Sequence, residues 1–146
     1  MARKRRSCPG GLAYHVMNRA TARKRIFDDA ADYLAFERVL AEARKRSDGQ
    51  MRICSYVLMP NHFHLVLWPE TDGALSKFMQ WLTLTHAQRW HAHRHSAGTG
   101  ALYGARFKSF PVRDCTSGAA PARTSPAERN CWTSGPCPGP AVGYDG

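Results

Sequence analysis

Two histidines one residue apart, His62 and His64, lie in the run Tyr56-Val57-Leu58-Met59-Pro60-Asn61-His62-Phe63-His64-Leu65-Val66-Leu67-Trp68. Val, Leu and aromatic residues dominate the run, which favours an extended strand. Side chains alternate along a strand, so both imidazoles face one side while Phe63, Leu65 and Leu67 face the other. Neutral imidazoles paired on one face are a donor set for a divalent metal. The pair alone does not distinguish a metal site from hydrogen-bonded or solvent-facing histidines, so its setting in the chain has to decide.

The elements around the pair follow from periodicity and turn chemistry. Leu12 to Arg19 reads as a first strand, with Tyr14, Val16 and Met17 supplying bulk. Asp28 or Asp29 can cap a helix running to about Arg46, whose Phe36, Val39, Leu40 and Ala43 fall at helical spacing. Arg52 to Met59, a Pro60-Asn61 turn and His62 to Trp68 form a hairpin. Leu75, Phe78, Met79 and Leu82 mark a second amphipathic helix that continues, polar and basic, to His95. Arg106 to Val112 reads as the last strand, with Arg106 and Lys108 on one face. Strand, helix, strand, strand, helix, strand is the split βαβ order of a ferredoxin-like α+β fold with an antiparallel sheet and two main helices.

Charge restricts the partner. The 146 residues carry a formal charge of +10 with a pI near 9.9, which points to a polyanion, nucleic acid before an acidic membrane surface. Residues 1–27 hold eight cations (Arg3, Lys4, Arg5, Arg6, Arg19, Arg23, Lys24 and Arg25) and no acid. Residues 1–10 read as a basic arm that grips phosphates. There is no apolar run of membrane-spanning length and no apolar stretch behind the basic N-terminus, so neither a membrane span nor a secretory signal is expected. Five cysteines in unpaired spacing argue against a disulfide framework or zinc ribbon, and the expected location is cytoplasmic. On the second helix, Trp81 and Trp90 are candidates to stack on unpaired bases, and Phe78 belongs to the core. Of His86, His91, His93 and His95, only His91 and His95 have i, i+4 spacing, and the run reads as a solvated or DNA-facing helix end.

Leu58-Met59-Pro60-Asn61-His62-Phe63-His64-Leu65-Val66 resembles the signature of the single-tyrosine HUH transposases, particularly the REP-associated tyrosine transposases and their insertion-sequence relatives. Tyr14-His15-Val16-Met17-Asn18-Arg19 and Gly104-Ala105-Arg106-Phe107-Lys108-Ser109-Phe110 are similar to that family too, and the resemblance covers about residues 8–114. It implies a ferredoxin-like core and DNA transposition by metal-dependent cleavage and transfer of single strands. His62 and His64 would hold a Mg²⁺ or Mn²⁺ that polarises the scissile phosphate. A tyrosine on a helix after the last strand would attack that phosphate, with an Asn or Gln one turn later as a further metal ligand. Arg106 and Lys108 would lie near the DNA backbone, with Asn61 and the basic residues on a single-stranded or hairpin DNA. The long second helix would permit a homodimer.

The expected position of that nucleophile is occupied by something else. Thr116 to Asn130 contains no tyrosine, and Pro121 and Pro126 oppose a continuous helix. Residues 115–146 hold five of nine prolines, five of twelve glycines and three of five cysteines, with no Leu, Ile, Met or Phe. Such a segment buries too little apolar surface to offset chain entropy and reads as a disordered tail behind a domain spanning 11–114. Weak or absent nicking is expected. The alternatives to an active transposase are a non-catalytic nucleic-acid-binding module and a degraded transposase remnant. The break after Asp114 points to a shifted reading frame. An alternative frame of the coding DNA beyond codon 114 is expected to encode an amphipathic helix with a tyrosine; if neither frame does, no shift occurred.

Overall fold

A computed structural model describes residues 7–112 and 131–133. The elements are β1 (Ala13–Arg19), α1 (Ala30–Arg46), β2 (Met51–Met59), β3 (His62–Pro69), α2 (Ala74–His93), β4 (Lys108–Val112) and a short β5 (Cys131–Thr133). The strands form one antiparallel sheet in the order β4-β1-β3-β2-β5. Its first four strands have the ferredoxin-like arrangement, and both helices belong to the layer that covers one face. β5 pairs with β2 through Ser55, Tyr56 and Val57. The rest of the expected tail, and the cations Arg3, Lys4, Arg5 and Arg6 of the expected arm, lie outside the described residues. The end of that arm is tied down, because the Tyr14 hydroxyl donates to the Pro9 carbonyl and Gly11 N–H to that of Pro69.

Each element buries the stripe its pattern dictates. From α1 come Phe36, Val39, Leu40 and Ala43; from α2, Leu75, Phe78, Met79, Leu82, His86 and Trp90. They meet Tyr14, Val16, Met51, Ile53, Tyr56, Leu58, Phe63, Leu65 and Leu67 of the sheet. Asp29 caps α1 by accepting from Asp32 N–H, and Asp32 in turn accepts from Asp28 N–H, so two exposed donors are satisfied reciprocally. A register shift between Ile53 and Ser55 marks a bulge in β2. It moves the buried parity from Met51 and Ile53 to Tyr56 and Leu58, which keeps both ends of the strand on the core.

Two expectations change here. β4 begins at Lys108, so Arg106 precedes the strand and does not share a strand face with Lys108. The chain is diverted by Thr21, whose N–H donates to the Leu102 carbonyl and whose hydroxyl donates to that of Ala101. Thr21 also packs so closely that a Cβ on Gly104 would lie 2.7 Å from its Oγ1. The second helix stops at His93 rather than His95, which adopts φ 50° beyond the C-cap Arg94.

His86 is a core residue and not part of a solvated helix end. Its ring lies 4.9 Å from Phe36 and 5.8 Å from Phe27, and its Nδ1 is 2.7 Å from the Tyr103 hydroxyl. Burial pushes the imidazole down to about 4, with Arg94 adding to the effect and Asp32 opposing it. The unfolded chain therefore takes up this proton first as pH falls. Stability from a neutral His86 is complete above pH 6.5 and declines as pH drops toward 4, by roughly 3 kcal/mol at most. Urea titrations at successive pH values are expected to show this decline between pH 6.5 and 4, and His86→Asn is expected to flatten it. An unchanged slope in the variant would assign the decline to other groups.

Candidate metal centre

The face of the sheet opposite the helices carries the histidines. Directly paired residues of neighbouring strands share a face, and the pairs Arg19↔His62, Met17↔His64 and His15↔Val66 fix who stands beside whom. On the outer sides, Lys108 pairs with Met17 and Phe110 with His15, while Val57 and Met59 of β2 pair with His64 and His62. His62 and His64 thus lie on one face, partly exposed, while Phe63, Leu65 and Leu67 are fully buried behind them. Their ring centroids are 5.1 Å apart at 74°. The expected alternation holds.

Each imidazole is oriented through its Nδ1. Asn61 Oδ1 lies 2.6 Å from His62 Nδ1, and a carbonyl oxygen only accepts, so His62 carries its proton on Nδ1. In the neutral ring that tautomer puts the lone pair on Nε2. His64 Nδ1 lies 2.8 Å from His15 Nε2, with the two rings within 6° of parallel. Half-burial holds the His15 imidazole below its ordinary value, favouring the neutral ring at neutral pH. The sequence reading placed His15 in a family-like motif without a role. Its place on the open side of β1 was readable from alternation with Tyr14 and Val16; its reach to His64 depends on the β1–β3 register.

The basic residues lie at the same end of the sheet. Arg19 shares the face with His62, and the segment 20–27 is strapped to the hairpin turn. There, Ala20 N–H donates to the Asn61 carbonyl, and Ile26 and Phe27 N–H donate to that of Pro60. Ala22 and Arg23 take positive φ, 53° and 55°, in the tight turn at Thr21–Arg23. Asn61 Nδ2 donates to the Arg23 carbonyl, so the Asn61 side chain joins the basic segment to the histidine it orients. Lys24 lies 5.0 Å above the Trp90 ring and Arg94 4.4 Å from it, and Trp90 Nε1–H donates to the Ile26 carbonyl. Trp90 is therefore a buried anchor for the basic segment and not a base-stacking surface. Arg94 also pairs with Asp28 and Asp32. Burial raises the Asp32 carboxyl, but hydrogen bonds from Arg94 and from the Asp28 and Asp29 backbones hold it below the usual carboxylate range. Arg25 pairs with Asp28 at 3.4 Å, while Trp81 is half-buried beneath the Arg46 guanidinium. Arg106, just before β4, lines a groove of about 1020 Å³ together with residues of α2.

The donor set fits part of a cation's coordination shell. Two imidazoles whose Nδ1 atoms are hydrogen-bonded are accepted more readily by Mn²⁺ than by Mg²⁺, and both ions prefer oxygen for the rest of the shell. Among the described residues, no group of three or more His, Cys, Asp or Glu side chains is placed to hold a metal. His62 and His64 would supply two positions, and the others would fall to phosphate oxygens or to residues outside those described.

The family described as IS200-like transposase matches residues 10–119. The chain belongs to that family. Its fold is similar to a REP-associated tyrosine transposase bound to a REP hairpin, at 19% identity and TM-score 0.54, over 78% of this chain and 64% of that one. It is also similar to a candidate transposase from Deinococcus radiodurans R1, at 18% identity and TM-score 0.57, over 76% of this chain and 86% of that one. At such identities the likeness establishes the fold alone. The chain spans somewhat less than two thirds of the hairpin-bound transposase. Among curated proteins none matches. Membership supports a transposase-like role. No helix among the described residues is long and apolar enough to cross a membrane.

Proposed function

We propose that this transposase-family domain binds single-stranded or hairpin DNA and presents a phosphate of it to a divalent cation held by His62 and His64. The observation that carries the reading is the pair of Nδ1 hydrogen bonds, Asn61 to His62 and His15 to His64. Together they turn two imidazoles onto the sheet face opposite the helices. The cation, when bound, would withdraw charge from the phosphate as a Lewis acid. Arg19 and Lys108 flank the histidines on that face, and Arg23, Lys24 and Arg25 extend the positive surface along the strapped segment. Arg3, Lys4, Arg5 and Arg6 add to the positive charge of the chain, and Arg106 would meet the DNA from the groove beside α2. These cations would neutralise backbone phosphates, so binding would weaken steeply with salt.

A second reading is supported by one observation. From Ser109 to Gly143 the sequence contains no tyrosine, so no phenol in that interval can attack the phosphate. The protein would then recognise transposon-end DNA without cutting it, either alone or beside a different protein that supplies the nucleophile.

The readings separate in one set of titrations with a labelled hairpin carrying a single-stranded extension. His64→Ala is expected to remove the gain in affinity that Mn²⁺ gives the wild-type protein while leaving the salt slope unchanged. Arg23→Ala is expected to reduce that slope by about one. If Mn²⁺ gives no gain, or His64→Ala keeps it, the metal assignment is wrong. Accumulation of a covalent protein–DNA adduct would contradict the non-cleaving reading.

A further inference from the structure

We propose that His15 is a positioning residue for the cation site: its Nε2 accepts the Nδ1–H of His64 and thereby sets which nitrogen of His64 faces the metal. The inference rests on the metal reading above and adds a residue to it. His15 lies outside the His62–His64 pair in the chain. It stands on β1, diagonally across from His64, because Met17 is the residue directly opposite His64 and Val66 the one opposite His15. Diagonal neighbours are within reach of a long or aromatic side chain. The imidazole makes that reach, with 2.8 Å between His15 Nε2 and His64 Nδ1 and ring planes within 6°.

Only one of the two nitrogens in this contact can carry the proton. If His64 donates, its Nε2 bears a lone pair and can ligate a cation. If His15 donates, His64 is protonated on Nε2 and ligation through that atom is blocked. Ligation through Nε2 requires the first arrangement, the same Nδ1–H form that the Asn61 oxygen sets for His62. His15 plays for His64 the part that the Asn61 amide oxygen plays for His62. Two different acceptors, one before β3 and one on the neighbouring strand, thus impose the same tautomer on both ligands. Phe110 of β4 pairs with His15, its ring 6.5 Å away. A hydrogen-bonded outer partner of this kind is worth about 10–100-fold in metal affinity.

The test uses the full chain and Mn²⁺ alone. Mn²⁺ affinity is measured by titration for the wild type, His15→Phe and His15→Gln, and long-range ¹⁵N spectra assign the His64 tautomer in each. His15→Phe is expected to weaken Mn²⁺ binding at least tenfold. His15→Gln, whose amide oxygen can accept, is expected to recover most of the loss. The wild-type spectrum is expected to show His64 protonated on Nδ1, a signature that a merely structural His15 would not set. The proposal is overturned if His15→Phe binds Mn²⁺ as tightly as the wild type, or if wild-type His64 carries its proton on Nε2. Should the wild type bind no Mn²⁺, the metal reading falls and the spectra decide alone. Loss of the Nδ1–H form in His15→Phe then supports the positioning role, and its retention overturns it. The wild-type spectrum needs no variant to fold.

Discussion

The two-residue alternation of β3, locked between β1 and β2, is the constraint on which the rest of the site depends. Phe63, Leu65 and Leu67 are fully buried beneath the helices, and each contributes about 1.5–3 kcal/mol relative to exposure. A slip of one residue would turn these three to the open side and press His62 and His64 into hydrocarbon, where unpaired polar nitrogens cost about 1–3 kcal/mol each. The register is therefore held by the core, and the imidazoles inherit their direction from it. That also explains why Phe63 sits between two histidines. Its ring packs 5.0 Å from Phe36 and 5.8 Å from Tyr103, so the residue separating the two ligands is itself fixed from below.

The second level of order is polar. Asn61 and His15 fix the two imidazoles, and the same Asn61 holds the Arg23 carbonyl. The hairpin turn also receives the N–H groups of Ala20, Ile26 and Phe27. Cation-bearing segment and histidine-bearing strand are in this way parts of one hydrogen-bonded assembly. Trp90 closes it from the helix side through its bond to Ile26 and its contacts with Lys24 and Arg94. A surface that must place a phosphate against a cation needs its positive charges held near the metal ligands, and this hydrogen-bonded assembly holds them there.

Much of this was legible in the sequence because it is local. The run His62 to Trp68 alternates cleanly, Asp29 caps α1 as its type suggests, and Phe36, Val39, Leu40 and Ala43 face inward. What was not legible depends on residues far apart in the chain. The bulge at Cys54 leaves no mark in composition, yet it reverses the parity of β2. His86 looks polar and Trp90 accessible on a helix that turns basic, but the packing of Phe27, Phe36 and Tyr103 buries the first, and the 20–27 segment covers the second. Arg106 left the expected strand because Thr21, far upstream, captures the carbonyls of Ala101 and Leu102. The His15–His64 contact likewise exists only once β1 and β3 are in register.

The central claim is that a cation binds at His62 and His64 on the sheet face opposite the helices. The most direct measurement is paramagnetic broadening of the histidine ring signals by substoichiometric Mn²⁺ in the full chain. The account predicts that the ring protons of His62 and His64 broaden first, while those of His86, His93 and His95 stay sharp. Selective broadening at His91, His93 or His95 on the far end of α2, or uniform broadening of all seven histidines, would contradict it.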